Sequence, residues 1–140
     1  MLAAATDNYK RFLQSLVPTH AVLCISVPLP TIKDGHNEGI VANARRHVHA
    51  SQADRTRLTI EFNKSMARFC QGCGIRYLDL DAGSIGDDGL VAETLLNADP
   101  TDHHYDPRAY ARMLTGHLKS VFASMATQHI ASTSGSEQRS

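Results

Sequence analysis

One short apolar segment constrains the fold of this chain more than any other feature. The run from Ala21 to Val27 is apolar except for Ser26, and it is short and rich in β-branched residues. A strand of that composition is typical of a parallel sheet with both faces covered. Parallel strands are joined by crossover connections, so the sequence predicts helices before and after this strand.

The segments on either side alternate between helical and extended patterns. In the helical segments apolar residues recur every three or four positions, and residues such as Pro18 and Gly72 mark their ends. Ser51 followed by Asp54 resembles the amino-terminal cap of a long helix. The sequence predicts one helix before the first strand, over 7–17. After that strand it predicts a second strand over 75–80 and helices over 38–50, 51–72, 90–96 and 107–126.

This order of elements predicts an α/β fold with a short parallel sheet flanked by helices. The chain of 140 residues, 42% of them hydrophobic, suffices for one domain, which we place at 1–126, with a disordered tail over 127–140. Parallel sheets normally contain more than two strands, so we expect the domain to be part of a larger one. Ligands of such sheets bind at the carboxyl ends of the strands.

Composition argues against several classes of binding partner and against a membrane-spanning or secreted protein. Lysine plus arginine balance aspartate plus glutamate at 14 each, which favours neither nucleic acid nor an acidic membrane surface. The sequence lacks the roughly 18 consecutive apolar residues of a membrane span and the features of a secretory signal, so we expect a cytoplasmic protein. Three cysteines are poor material for a disulfide framework: Cys24 lies in the apolar run, and Cys70 and Cys73 form one Cys-x-x-Cys. Because that pair falls at the carboxyl end of a predicted helix, where the dipole does not favour a thiolate, we predict a packing role for it rather than a redox role.

Residues 97–107 form the candidate site. Two aspartates and two histidines are crowded into this loop before the last helix: Asp99, Asp102, His103 and His104. An imidazole, with a pKa near ~6.5, can act as a base close to neutrality, and a carboxylate can hold and orient it. The sequence therefore predicts an acid–base pair here, although no convincing nucleophile motif accompanies it in these 140 residues.

Four motifs occur in an order that is known from one enzyme family. They are Ser26-Val27-Pro28-Leu29-Pro30 at the end of the first strand, Phe62-Asn63 in the long helix, Tyr77-Leu78-Asp79-Leu80 in the second strand, and the histidine-bearing loop. Together they resemble the carboxy-terminal half of an SGNH (GDSL-type) hydrolase over roughly residues 7–126. The resemblance implies a partial flavodoxin-like, three-layer fold.

The resemblance also implies an activity, which is hydrolysis or transfer of the acyl group of a small-molecule ester or other acylated substrate, without a cofactor or metal. In that family a late histidine takes a proton from a serine near the amino terminus, and a late aspartate orients the histidine. The resemblance implies His104 as the base, with Asp102 or Asp99 as its orienting carboxylate and His103 as the alternative base.

The loop departs from the usual Asp-x-x-His block of the family, since it offers Asp99-x-x-x-His103 and Asp102-x-His104. The Gly-Asp-Ser and Gly-x-Asn-Asp blocks of the family, which supply the nucleophile and oxyanion donors, do not occur in this sequence. We therefore expect this portion to be inactive by itself, because a base without a hydroxyl within reach has nothing to activate. The missing groups would lie in an upstream half of the domain or in an oligomer.

Two other functions are compatible with the sequence. The chain could be a non-catalytic α/β module that assembles with itself or a partner through the sheet edge or an apolar helix face. Alternatively, Asp102-His103-His104 matches the short signature of metal-dependent DHH phosphoesterases, in which carboxylates and imidazoles bind a divalent metal. The aspartate-rich upstream motifs of that family are not evident here.

Overall fold

The sheet of this mixed α/β chain consists, in the described residues, of two short parallel strands. The computed structural model describes residues 2–36, 47 and 49–134, and in this part β1 (Leu23–Ile25) pairs in parallel with β2 (Arg76–Leu78). The predicted parallel pair is confirmed, but both strands are shorter than expected. The first ends early because the backbone of Val27 bonds to a side chain of a helix, and Pro28 has no N–H to donate.

The long helix between the two strands begins where the sequence predicts. Ser51 Oγ accepts a hydrogen bond from the backbone N–H of Asp54 at 3.0 Å, and Gly74 adopts a φ of +68° just beyond the end of the helix.

The predicted helix over 38–50 falls on residues most of which lie outside the described part. The described helices are α1 (Leu2–Leu16), α2 (Gln52–Gly72), α3 (Asp81–Ser84), a 3-10 helix (Glu93–Leu95) and α4 (Pro107–Ser134).

The helix predicted over 90–96 is wrong. Only the single 3-10 turn Glu93–Leu95 forms there, because the backbone before it makes hydrogen bonds that do not follow the helical pattern. The N–H of Ala92 donates to Ser84 O at 2.8 Å, and the N–H of Gly86 donates to Leu90 O at 2.8 Å. These bonds fold the segment back onto α3.

The last helix is longer than predicted. It reaches Ser134, so residues 127–134 are helical where the sequence predicted a tail, and residues 135–140 lie outside the described part. No proline or glycine occurs between Gly116 and Gly135, so nothing in the sequence stops the helix at 126. The chain divides into two compact units, Met1–Asp106 and Pro107–Ser140, and the predicted domain boundary at 126 falls inside α4.

The core of the first unit lies between α1, α2 and the strands. Its buried members are Leu13, Cys24, Met66, Cys70 and Ile75. The thiols of Cys24 and Cys70 are free and buried, and the half-buried Cys73 packs against the same core, which agrees with the packing role predicted for Cys70 and Cys73. Burial raises the pKa of the Cys70 thiol to about 11, so this side chain stays protonated and uncharged in the core.

Asn63 of α2 bonds to the backbone just after β1. It thereby positions the carboxyl end of this strand, beside which the candidate site lies. Its side chain is 1% exposed, its Oδ1 accepts from Val27 N at 2.9 Å, and its Nδ2 donates to Val27 O at 2.9 Å. Nδ2 also donates to Asp81 Oδ1 at 2.7 Å. Burial raises the pKa of the Asp81 carboxyl, against the opposing effect of this hydrogen bond.

We predict that Asn63→Ala lowers the free energy of unfolding by about 1–3 kcal/mol, because it removes the two hydrogen bonds that this buried side chain makes with the backbone of Val27. Urea denaturation measures the change. Asn8→Ala is the matched control, since the Asn8 side chain bonds only to Arg11 on the exposed face of α1 and its removal should change stability little. Equal, small losses for the two variants would contradict the role of Asn63.

Candidate functional site

The loop before α4 is attached to the chain that leaves β1. The backbone N–H of Leu29 donates to the hydroxyl of Tyr105 at 2.7 Å, and both residues are buried. Two residues further on, Thr31 Oγ1 donates to the carbonyl of His103 at 2.7 Å. These contacts hold the loop beside the segment that follows the carboxyl end of β1, where parallel sheets bind their ligands.

Asp102 and His104 form the central contact of the site. Asp102 Oδ1 lies 2.7 Å from His104 Nδ1 and also accepts the backbone N–H of His104 at 2.9 Å. The second carboxylate oxygen accepts from Asn97 Nδ2 at 2.9 Å. An aspartate readily bonds to the backbone two residues onward, and this turn brings the imidazole of His104 against the carboxylate.

These contacts determine which nitrogen of His104 carries the proton. Hydrogen bonds from the backbone and the imidazole of His104 hold the pKa of Asp102 below its usual range, so the carboxylate is ionised and can only accept. Nδ1 of His104 must therefore donate, which leaves Nε2 as the acceptor of the neutral ring. The side chain of His104 is 73% exposed, so Nε2 is accessible to a proton donor from outside the loop.

Asp99 serves the loop in a different way. Its carboxylate accepts from the backbone N–H of Thr101 at 2.8 Å and from Thr101 Oγ1 at 2.7 Å. These bonds lower the pKa of Asp99, the side-chain bond contributing most. The carbonyl of Asp99 accepts the N–H of Asp102 at 3.1 Å, so Asp99 shapes the turn that presents Asp102. Of the two carboxylates predicted to orient the base, the structure places Asp102 against a histidine.

His103 lies beside His104 on the exposed side of the loop. The two ring centroids are 4.0 Å apart and the ring planes are inclined by 39°. One ligand atom each from Asp102, His103 and His104 lie within 4.8 Å of one another. The loop thus gathers three groups that accept protons or bind metals, and the choice of His104 over His103 as the base stays a prediction.

A cavity of about 230 Å³ adjoins the carboxylates of the loop. Sequence reasoning missed this cavity and the positioning roles of Thr31 and Asn97, although Asn97 opens a run of residues typical of turns. Asn97 also accepts the backbone N–H of Asp99 through its Oδ1 at 3.0 Å. The cavity is lined by Thr31, Lys33, His36, Leu96, Asn97, Asp99, Pro100 and Asp102.

Comparison of the chain with protein-family models, curated proteins and solved structures gave no match. None of the helices in the described part of the chain combines the length and apolar character that a membrane crossing requires. The chemistry of the loop is therefore inferred from its own geometry.

We predict that His104→Ala raises the pKa of Asp102 toward its usual value, because the imidazole N–H is lost while the backbone N–H remains. Carboxyl ¹³C NMR across an acid titration measures this change. His103→Ala should change the pKa of Asp102 less. An unchanged pKa in His104→Ala would contradict the contact between the two side chains.

The same shift has a consequence for stability. Because the folded-state pKa of Asp102 is depressed, ionised Asp102 stabilises the loop at neutral pH, and this contribution is lost as the pH falls through the folded-state pKa.

Proposed function

We propose that this chain supplies the acid–base pair of an SGNH-type acyl-ester hydrolase or acyltransferase. His104 is the general base, Asp102 orients it, and the serine nucleophile lies outside these 140 residues. The observation that carries the proposal is the 2.7 Å contact between Asp102 Oδ1 and His104 Nδ1. It is the contact through which a carboxylate fixes the tautomer of a histidine base in serine hydrolases.

The chemistry follows from the free nitrogen of His104. Nε2 takes the proton of the serine hydroxyl as the oxygen attacks the acyl carbonyl, and the proton then passes to the leaving group. Asp102 stays ionised and stabilises the imidazolium that forms in between. Oxyanion donors, which commonly contribute on the order of 3–4 kcal/mol, would come with the nucleophile.

The sheet supports a place for this chain within a larger domain. In the described residues it has two strands of three residues each, whereas parallel sheets normally have more strands and both faces covered. We propose that further strands extend it into the three-layer, flavodoxin-like arrangement, with the loop at the carboxyl edge. The substrate is a small ester or acylated molecule that reaches Nε2 from the exposed side of His104.

The test uses protein expressed from the entire reading frame that encodes this chain. A fluorophosphonate probe should label one serine outside the 140 residues, and ester hydrolysis should fall by about three orders of magnitude or more in His104→Ala, because the members of a triad act as a unit. His103→Ala is the matched control and should lose much less. The 140-residue chain alone should neither react with the probe nor hydrolyse p-nitrophenyl esters above buffer.

Three results would contradict the proposal. Stoichiometric labelling of a serine within the chain, such as Ser84, would place the nucleophile inside it. Absence of any probe-reactive serine in the whole product would remove the serine mechanism. A larger loss in His103→Ala than in His104→Ala would assign the base to His103.

A role in assembly is the second candidate function, and an apolar surface favours it. Val27 is 46% exposed and Leu58 is 52% exposed. Together with Thr59 and Phe62 they line a cavity of about 230 Å³. This exposed apolar surface beside a two-stranded sheet is the observation that supports a role in binding another chain.

We predict that the chain self-associates and that Leu58→Lys shifts it toward the monomer, because a charge at this position opposes burial. Light scattering coupled to gel filtration measures the mass. Gln71→Lys introduces the same side chain at an exposed position of α2 that lies outside this cavity and should leave the mass unchanged. A stable, monodisperse monomer for the unaltered chain would contradict the assembly role.

A further inference from the structure

The loop that holds the candidate base also has the composition of a metal site. We propose that Asp102, His103 and His104 together bind one divalent transition-metal ion, with Zn²⁺ as the representative, and that the ion replaces the hydrogen bond between Asp102 and His104. One ligand atom from each of the three residues already lies within 4.8 Å of the other two. The binding does not depend on the proposed acyl chemistry.

The distances fit such an ion after small side-chain rotations. Zinc bonds to imidazole nitrogen and carboxylate oxygen are roughly 2.0–2.2 Å long, which places the ligand atoms of a tetrahedral site roughly 3.3 Å apart. Asp102 Oδ1 and His104 Nδ1 are 2.7 Å apart and need only separate slightly, while the most distant ligand atoms need to approach. Three protein ligands leave one position for water.

The donor types select the ion. Two imidazoles and one carboxylate suit Zn²⁺ and neighbouring transition metals, whereas Mg²⁺ and Ca²⁺ prefer oxygen ligands throughout. A cation at this site takes two of its three protein ligands from imidazole nitrogens. Mg²⁺ and Ca²⁺ bind such nitrogens weakly, so we expect them to bind the site weakly. Zn²⁺ is the informative probe because it combines these preferences with no redox chemistry of its own.

The surroundings of the three residues are prearranged for a ligand role. Asn97 Nδ2 holds the second oxygen of Asp102 at 2.9 Å, and Thr31 Oγ1 holds the carbonyl of His103 at 2.7 Å. Hydrogen bonds to ligand residues from groups that do not themselves touch the metal orient the ligands and strengthen metal binding. Both rings are exposed, so an ion reaches them without a change in the fold.

Binding would switch the candidate base off. To bind the ion through Nδ1, the neutral ring changes to its other tautomer: the proton on Nδ1 passes to water and a proton from water binds Nε2, while an oxygen of Asp102 also binds the ion. Nε2 then carries a proton and has no lone pair with which to act as a base. The ring then has no carboxylate to orient it as a base. Where the acyl chemistry operates, Zn²⁺ would act as a reversible inhibitor of it.

Calorimetric titration of the 140-residue chain, without an affinity tag, tests the proposal with Zn²⁺ as ligand and Mg²⁺ as comparison. We expect one Zn²⁺ per chain and no heat of binding from Mg²⁺. His103→Ala should weaken Zn²⁺ binding at least tenfold. His20→Ala is the matched control, because His20 contacts Thr19 and is remote in sequence from the loop, and it should bind as the unaltered chain does.

NMR of the histidine rings identifies where the ion binds. One equivalent of Zn²⁺ should shift the ring signals of His103 and His104 and remove the Nδ1 proton signal of His104. Unperturbed signals for these two rings, equal Zn²⁺ affinity in His103→Ala, or equal losses in His103→Ala and His20→Ala would overturn the proposal. Zn²⁺ binding without a probe-reactive serine in the complete product would reject the acyl function and leave the metal site intact.

Discussion

The amide of Asn63 is the contact on which the arrangement of the first unit depends. By pairing with both backbone groups of Val27, it ends β1 and fixes the direction in which the chain leaves the sheet. The residues that follow bind the loop that carries the candidate site, since Leu29 bonds to Tyr105 and Thr31 bonds to the carbonyl of His103. A buried polar side chain that satisfies two backbone groups thus determines where an exposed, polar loop is held.

Within that loop, one carboxylate organises the chemistry. Asp102 accepts from Asn97 through one oxygen and from the backbone and ring of His104 through the other. Its lowered pKa keeps it ionised, so it can direct the tautomer of His104 or bind a cation, but a single set of atoms cannot do both at once. The proposed base and the proposed metal site are therefore mutually exclusive states of the same residues.

Sequence reasoning predicted the features that depend on local chemistry. The cap at Ser51, the end of α2 and the parallel strands followed from side-chain type and periodicity. The spacing of charged residues left Asp99 and Asp102 as alternatives, because only the folded turn shows that Asp99 is engaged by Thr101. Contacts between distant segments, such as Asn63 with Val27, leave no periodic pattern. The helix predicted over 90–96 is wrong for another reason, since local backbone bonds such as Ala92 N–H to Ser84 O fold that segment back and apolar spacing does not reveal them.

The position of the ring proton on His104 decides whether Asp102 orients this imidazole as a base. Long-range ¹H–¹⁵N NMR of the neutral ring distinguishes a protonated Nδ1 from a protonated Nε2. We predict that Nδ1 carries the proton in the unaltered chain and that Asp102→Asn, which removes the ionised acceptor but keeps the shape, abolishes this preference. A neutral ring protonated at Nε2 in the unaltered chain would contradict a role for His104 as the base, because the nitrogen available to a nucleophile would then be the one that faces Asp102.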